Sequence, residues 1–200
     1  MPKAFSQADR ERIRAKLIKA GKDLINRMAL RRLSVDDVVR SAGISKGSFY
    51  SFFPSREDFI LSIFEDWEAE YRGALIREIS QGKGGARERI ERFFRGAFAI
   101  LEKEPGLTQM NGREIQTLIE RLPPERLKAH QDADTMALGE TFGKWVKDGF
   151  LPANLLDAMR GVVPMLFSIV IHRDDFPPGT YEPAVKLVCE ALALRIGGKK

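Results

Sequence analysis

Apolar residues recur along the chain at the three- and four-residue spacing of amphipathic helices. The first stripe consists of Ile13, Leu17, Ala20, Leu24 and Met28. Further stripes lie at residues 90–101, 138–146, 155–171 and 185–196. Because side chains three or four residues apart share one face of a helix, this spacing predicts α-helices. No alternating pattern of useful length indicates a strand, so we predict an all-α fold.

Polar and glycine residues mark helix boundaries between residues 34 and 56. Ser34 and Ser45 are good N-cap residues and predict two helix starts, and Gly43 predicts the end of the first of these helices. The second should run to about residue 52. Pro54 should then break the chain, and Ser55 predicts the start of a longer helix that continues to about residue 79.

The segment SQGKGGAR at residues 80–87 is the clearest linker, with three glycines in six residues from Gly82. It divides a small N-terminal domain at residues 1–55 and a connecting helix at 56–80 from a larger helical domain at 84–200. Within the larger domain, Pro164 lies inside the apolar 155–171 run. A proline there is expected to kink or split the helix.

The charge distribution indicates a polyanionic partner for the N-terminal domain. The 200-residue chain is 44% hydrophobic and 30% charged, as in an ordinary folded soluble protein. Residues 1–56 contain 13 Lys and Arg against 5 Asp and Glu, a net +8, and the remaining residues carry −3. Nucleic acid and an anionic membrane surface are both candidate partners. A basic face that is merely solvated explains the charge equally well.

Several classes of protein are excluded by the composition. No apolar run reaches the roughly 18–20 residues of a membrane span, and no secretory signal pattern is present, so we predict a cytoplasmic protein without membrane contact. The lone Cys189 excludes an intrachain disulfide and cysteine-based zinc fingers. It is expected to be a buried, inert thiol. We predict no metal site and no cofactor.

The residues from 34 to 53 have the pattern of a helix-turn-helix, with AGIS at 42–45 as its turn. In such motifs the second helix inserts its N-terminal residues into the major groove of DNA. That helix begins with Ser45, Lys46, Gly47 and Ser48, which offer hydroxyls, a cation and close backbone approach. Phe49 and Phe53 should face inward, while Tyr50 and Ser51 face the groove.

The sequence SVDDVVRSAGISKGSFYSFFPSREDF at 34–59 resembles the signature of TetR-type (TetR/AcrR) bacterial transcriptional regulators. The resemblance is gapless across the motif and strong over about residues 10–65. It departs from the pattern at Val39, at Ala29 and at Arg56. The family's fold implies an N-terminal three-helix DNA-binding domain with a helix-turn-helix, joined to a larger helical effector-binding and dimerisation domain.

The resemblance also implies which residues contact DNA. The expected contacts are made by Ser34, Ser45, Lys46, Gly47, Ser48, Tyr50, Ser51 and Arg56. A purely capping role is the alternative for the two N-cap serines, and a half-buried packing role is the alternative for the tyrosine. The basic residues Lys3, Arg10, Arg12 and Arg14 could reach a neighbouring phosphate or form a solvated arm.

For the larger domain, the resemblance implies an effector pocket and a homodimer interface formed by the last two helices. Candidate pocket residues are Phe94, Phe98, Met110, Met136, Phe142, Trp145 and Met159. Candidate interface residues are Met159, Val163, Phe167, Val170, Val185, Val188, Leu192 and Ile196. Ordinary core packing is the alternative for each pocket residue, and a fully internal helix is the alternative for the 155–171 run.

These inferences predict a ligand-responsive transcriptional regulator that binds double-stranded DNA as a homodimer. It would repress from a near-palindromic operator until an unknown small-molecule effector releases it. One alternative is a protein that binds a membrane surface or an acidic partner through its basic N-terminus. The other is a small helical enzyme, although His130 and His172 have no catalytic motif around them. We therefore predict that the protein is not an enzyme.

Overall fold

The computed structural model describes residues 6–81, 83–103 and 112–197, and it is 82% helical with no strand in those ranges. The predicted all-α fold is confirmed. In the described ranges the α-helices are α1 (Gln7–Ile25), α2 (Val35–Ala42), α3 (Lys46–Tyr50), α4 (Arg56–Gln81), α5 (Ala86–Lys103), α6 (Gly112–Arg121), α7 (Pro124–Lys147), α8 (Leu156–Ile171) and α9 (Tyr181–Gly197).

The short helices begin where the sequence predicts, and α3 ends at Tyr50, two residues before its predicted end. The hydroxyls of Ser34, Ser45 and Ser55 each accept a hydrogen bond from the backbone N–H three residues later, at 3.0–3.1 Å. These bonds satisfy N–H groups that a helix start leaves without partners. Gly43 ends α2 with φ of 65°, the left-handed conformation that glycine adopts without strain. The helix-turn-helix therefore follows from local chemistry.

The N-terminal helices α1 to α4 enclose the first core. Its centre is an aromatic cluster in which the rings of Phe49, Phe53 and Phe59 lie 4.9–5.5 Å apart. All three side chains are fully buried. Leu118 and Leu122, in and just after α6, join the same core, so the C-terminal part of the chain packs onto the N-terminal domain.

The second core lies among α5, α7, α8 and α9. Helix α9 packs along α5 and contributes the fully buried Cys189 and Ala193. The ring of Phe93 on α5 lies 4.7 Å from that of Trp145 on α7. Burial raises the pKa of the Cys189 thiol to about 11, which agrees with the expected inert thiol.

Pro164 lies inside helix α8, where it predicts a kink or a split. The helix continues from Leu156 to Ile171, so it is not split at the proline, and the kink stays a prediction. A proline removes one backbone hydrogen bond, and α8 also packs Met159, Leu166 and Val170 into the second core.

One helical stretch, Ala153–Ile171, is long and apolar enough to cross a membrane by length and composition alone. The sequence prediction had excluded any such stretch. Only 17% of its most apolar window is buried inside the protein. A helix that pairs with another chain meets the same criteria, so this finding is weak support for a membrane span.

Candidate nucleic-acid interface and ligand cavity

Helix α3 presents its apolar residues inward and its polar residues to solvent. Phe49 and Phe53 are buried in the first core, whereas Tyr50 is 49% exposed. The rings of Phe49 and Tyr50 are nearly perpendicular, with their centroids 5.3 Å apart. This edge contact supports the placement. The tyrosine is thus held from one side by the core and free to contact a ligand on the other.

The start of α3 is open to solvent. Ser45, Lys46 and Gly47 are exposed, and no atom of the described chain lies within 4 Å of the position a Cβ would take at Gly47. The ammonium of Lys46 lies 2.9 Å from a carboxylate oxygen of Asp36 on α2. A hydrogen bond to this carboxylate raises the pKa of Lys46. The lysine is therefore held charged at the helix start.

The hydroxyls of this region are partly engaged within the helix. The oxygens of Ser45 and Ser48 lie 2.8 Å apart, and Ser51 donates to the carbonyl of Ser48 at 2.7 Å. A hydroxyl both donates and accepts, so each can still contact an external group. Ser34 caps α2 and is partly buried. Its capping role is observed, and its contact with DNA stays a prediction.

Arg56 has a structural role that the sequence did not indicate. Its guanidinium donates to the carbonyls of Leu33 and Leu30, each at 2.6 Å, and lies 3.1 Å from the carboxylate of Glu57. These contacts hold the turn before α2 against the start of α4. Most of its hydrogen-bonding capacity is therefore used inside the protein. The predicted phosphate contact stays untested.

Two arginines of α1 lie beside the end of α3. Arg10 donates to the carbonyl of Ser51 at 3.3 Å, and its guanidinium lies 4.9 Å from the centre of the Phe52 ring. The guanidinium of Arg14 lies 5.5 Å from the Phe53 ring. Arg10 and Arg14 of α1 therefore lie next to the C-terminal end of α3. Lys3 lies outside the described residues.

A cavity of about 440 Å³ lies between α4, α5, α7 and α8. Its walls are mostly aromatic and aliphatic, with a group of charged residues on α4 and α7. The lining consists of Phe64, Trp67, Glu68, Tyr71, Arg72, Ile76, Phe93, Ala97, His130, Gln131, Asp134, Thr135, Leu138, Thr141, Phe142, Arg160, Val163, Pro164, Leu166 and Phe167. This size is within the range of about 300–1,000 Å³ typical of small-molecule sites.

The predicted pocket residues mostly lie elsewhere. Phe142 lines this cavity, but four of the others are buried in the second core: Phe94, Phe98, Trp145 and Met159. Met136 is 64% exposed on the surface, and Met110 lies outside the described residues. Helical periodicity indicates which residues are buried, and it cannot indicate which of them border a void. Contact between the other predicted residues and an effector stays a prediction.

The charged side of the cavity joins α4 to α7. The nitrogens of His130 lie 3.5 Å from Glu65, 4.0 Å from Glu68 and 3.7 Å from Asp134. Arg72 donates to Asp134 at 3.1 Å. The hydrogen bond with Glu65 raises the pKa of His130, against the effect of burial. Burial, together with repulsion by Asp134, raises the pKa of Glu68 to about 7.

A second set of ionic contacts lies closer to the N-terminal domain. Arg126 donates to both carboxylate oxygens of Glu65, at 2.7 and 2.8 Å, and to Asp58 at 2.5 Å. Burial raises the pKa of Glu65, but hydrogen bonds from His130 and Arg126 outweigh it and lower that pKa to about 2. Because Asp58 lies in the first turn of α4, this contact links α7 to the helix that leaves the DNA-binding domain.

The donor atoms of Glu68, His130 and Asp134 lie within 4.8 Å of one another and could in principle hold a metal ion. The two nitrogens of His130 face different carboxylates, and Asp134 is already bonded to Arg72. One ion could not use the present arrangement without moving these side chains. Sequence analysis missed this cluster, although the i, i+4 spacing of the histidine and aspartate on one helix was visible.

Three of the predicted dimer residues are buried in the second core: Met159, Val170 and Ile196. The other five are partly buried: Val163, Phe167, Val185, Val188 and Leu192. Helices α8 and α9 also expose the apolar side chains Met165, Leu187 and Leu194, at 47%, 67% and 42%. The two helices stay a candidate interface, and the predicted contacts stay a prediction.

The remaining histidine has the ordinary role expected of it. His172 follows the last residue of α8, and its Nδ1 lies 2.9 Å from a carboxylate oxygen of Asp175. Its side chain is half exposed. It marks a helix end, as the sequence predicts.

Comparison with known proteins identifies the N-terminal domain. Residues 17–63 match the family described as "Bacterial regulatory proteins, tetR family". The chain is 42% identical over 65 residues to the uncharacterized HTH-type transcriptional regulator YwcC of Bacillus subtilis, a match covering 32% of this chain and 29% of that one. It is 28% identical over 81 residues to the HTH-type transcriptional repressor NemR of Escherichia coli, covering 40% and 41%. These matches span less than half the length of either relative.

The whole chain resembles solved structures in fold. A TetR-family transcriptional regulator from Pectobacterium atrosepticum superposes with a TM-score of 0.72 at 16% identity, over 98% of this chain and 100% of that one. This similarity includes the larger helical domain as well as the helix-turn-helix. Residues 17–63 therefore resemble the tetR family of bacterial regulatory proteins in sequence, and the whole chain has the fold of the solved structure, a helix-turn-helix domain followed by a larger helical domain.

Proposed function

We propose that the protein is a transcriptional regulator that binds operator DNA through α3 and is released by a small molecule in the cavity. The observation that supports this most directly is the exposed polar side of α3, with Lys46, Gly47 and Tyr50 open to solvent on a helix anchored by two buried phenylalanines. In a helix-turn-helix this side of the second helix enters the major groove. A relative of the N-terminal domain is named a transcriptional repressor, which favours repression.

The ionic contacts between α4 and α7 support the coupling of cavity and DNA. Arg126 bonds to Asp58 in the first turn of α4, and His130, one turn further along α7, lies beside the cavity residue Glu68. A ligand that moves α7 relative to α4 would therefore change the position of the DNA-binding domain. A ligand that fits the released conformation better than the bound one would shift the equilibrium towards release.

A homodimer is part of the proposal. The exposed apolar residues Met165, Leu187 and Leu194 on α8 and α9 provide a surface that a second copy could cover. Two-fold symmetry would place the two recognition helices about 34–36 Å apart, or a multiple of it, on a near-palindromic operator. Met165 and the other two are the proposed contacts, and the partly buried residues predicted from sequence stay candidates beside them.

Fluorescence anisotropy with DNA upstream of the protein's own gene tests the proposal. Tyr50→Ala should weaken binding by about 1–3 kcal/mol, a magnitude taken from side chains that contact bases. The melting temperature should change little, because the ring is half exposed. Glu140→Gln, an exposed change on α7 remote from α3, is the matched control and should bind as the unmodified protein does.

Salt dependence distinguishes DNA binding from other uses of the basic domain. The logarithm of affinity should fall linearly with the logarithm of salt concentration, with a slope of about −0.9 per phosphate neutralised. If affinity is flat between dilute and physiological salt, or if Tyr50→Ala binds normally, the proposed interface is wrong. Binding to anionic vesicles in preference to duplex DNA would favour the membrane-surface alternative.

The proposal also includes a cytoplasmic location and the absence of an enzymatic activity. A DNA-binding regulator of this family works in the cytoplasm, and its members are regulators rather than enzymes. The charged cluster at the cavity is therefore proposed as a ligand-binding and coupling element. No catalytic step is assigned to it.

A further inference from the structure

Glu68 is the carboxylate of the cavity that lacks a close cationic partner. The nearest cation is His130, whose Nδ1 lies 4.0 Å away, and among the described residues the glutamate makes no hydrogen bond. His130 is also shared with Glu65 and Asp134, at 3.5 and 3.7 Å. Arg126 pairs with both Asp58 and Glu65, and Arg72 pairs with Asp134, so three cations including His130 face four carboxylates. The charge of Glu68 remains incompletely balanced.

The guanidinium groups of the cavity already have carboxylate partners. Arg72 lies 3.1 Å from Asp134, and Arg160 lies 3.3 Å from Asp157. An anionic ligand would share these guanidinium groups with the carboxylates that already contact them. A cationic ligand would meet the carboxyl group of Glu68 directly and favour its ionised form, so the arrangement favours a positive charge on the ligand.

The wall next to Glu68 favours an organic ligand over a bare ion. Phe64 and Tyr71 lie four residues before it and three after it on α4, so they share its helix face, and Trp67 also lines the cavity. Aromatic faces attract organic cations as well as apolar groups. A hydrated metal ion would leave this aromatic surface and most of the 440 Å³ unused.

We infer that the cavity binds a lipophilic organic ammonium, with its charged group against Glu68 and its apolar body along Phe64, Trp67 and Tyr71. This inference rests on the proposed function, because it names the chemical class of the effector. A bound ammonium would complete the charge balance of the α4–α7 contact. It would therefore act at the junction proposed to move the DNA-binding domain.

Isothermal titration calorimetry of the full chain without DNA tests the inference with three probes of one skeleton. These are 4-phenylbutylamine, 4-phenylbutan-1-ol and 4-phenylbutyrate, which differ in the charge at one end. The amine should bind about tenfold more tightly than the alcohol, the ratio expected of a charge-assisted hydrogen bond, and the butyrate should bind most weakly.

Glu68→Gln keeps the shape of the side chain and removes its charge. It should weaken binding of the amine about tenfold and leave that of the alcohol within about twofold. Glu140→Gln removes the same charge from an exposed position on α7 that does not line the cavity, so it should change neither affinity. Glu68→Gln should melt no lower than the unmodified protein, which confirms that any loss of binding is not a loss of fold.

Several results would overturn the inference. They are equal or tighter binding of the alcohol or the butyrate, full binding of the amine by Glu68→Gln, no binding of any probe, or displacement of the amine by zinc chloride at equimolar concentration. Operator binding, measured separately, tests the proposed function. If the protein binds its operator but prefers the neutral probe, the inference fails alone. If it selects the amine through Glu68 but binds no operator, the proposed function fails alone.

Discussion

The two cores of the protein differ in how completely they are covered by their own chain. Among the described residues of the N-terminal domain, the large hydrophobic residue that is exposed is Tyr50, on the proposed DNA-binding face. Five further exposed large hydrophobic residues lie at or beyond position 119 in the described chain: Ile119, Met136, Met165, Leu187 and Leu194. The first core packs around its aromatic cluster and reaches the cavity at Trp67. The second core borders the same cavity at Phe93 and Phe142 and leaves apolar side chains in solvent.

The difference corresponds to two different tasks. A helix that reads DNA must present the same side chains in a fixed geometry, and a closed core with capped helices provides that rigidity. A domain that binds a ligand and a second copy needs a cavity and an apolar surface, and both leave its core less completely covered. Stability and function should therefore be separable in the first domain and linked in the second.

The largest expected effect is the loss of the first core's aromatic cluster. Phe53→Ala should lower the free energy of unfolding by about 3–5 kcal/mol, the cost of truncating a buried phenylalanine. Tyr50→Ala also removes an aromatic ring, but one that is half exposed to solvent. This variant should unfold at nearly the same denaturant concentration as the unmodified protein. Urea denaturation followed by circular dichroism measures both. Similar destabilisation by the two changes would contradict the assigned faces of α3.

The next effect concerns the exposed apolar residues of α9. Leu187→Glu places a charge in the proposed dimer interface and should weaken dimerisation by about 2 kcal/mol or more, the cost typical of a central interface residue. Analytical ultracentrifugation measures the dissociation constant. Met136→Glu is the control, because Met136 is equally exposed but lies on α7. Dissociation by Met136→Glu, with Leu187→Glu still dimeric, would place the interface elsewhere.

Much of the first domain could be predicted from sequence, because its structure is determined by neighbouring residues. The caps at Ser34 and Ser45 and the turn at Gly43 depend on contacts within a few positions. The burial of Phe49 and Phe53 follows from their spacing of four residues. Family resemblance then indicated the use of the open face.

The larger domain was harder to predict because its site is built from distant segments. Glu68 and His130 are 62 residues apart, and their meeting depends on how α4 packs against α7. No local pattern specifies that packing. Met136 is apolar, but the structure leaves it exposed. Arg56 is a further example, because it donates to the backbone carbonyls of Leu30 and Leu33. Every residue has a backbone carbonyl, so the sequence does not show which ones accept these hydrogen bonds.

A smaller effect should separate stability from DNA binding within the first domain. Gly47→Ala places a methyl group where no described atom lies within 4 Å, so the fold accommodates it, and alanine stabilises a helix relative to glycine by about 0.5–1 kcal/mol. If the backbone of Gly47 lies against DNA, the methyl group should weaken operator binding about tenfold, or about 1.4 kcal/mol.

Gly143→Ala is the matched control, because it adds the same methyl group at an equally open position on α7. It should leave operator affinity unchanged in the same anisotropy assay. Unchanged affinity for Gly47→Ala would show that the start of α3 does not approach DNA closely. A fall in affinity for both variants would instead indicate an indirect effect on the fold.

The smallest expected effect is the pH dependence of stability caused by the charged cluster of the second domain. The pKa of His130 is raised above its ordinary value of 6.5, chiefly by its hydrogen bond with Glu65. The protonated histidine therefore stabilises the fold fully below pH 6.5, and this contribution is lost as the pH rises through the raised pKa. Glu68 acts in the same direction, because its pKa is raised from 4.5 to about 7 and its ionisation across that range opposes folding.

The melting temperature should fall by a few degrees between pH 6 and 9, since 1 kcal/mol shifts it by about 2–4 °C for a chain of this length. His130→Gln should flatten the profile above about pH 6.5, the ordinary pKa of histidine. His172→Gln, which removes the other histidine from an exposed helix end, should keep the profile of the unmodified protein. Differential scanning calorimetry across this range measures all three, and a profile for His130→Gln as steep as that of the unmodified protein would exclude the cluster as the cause.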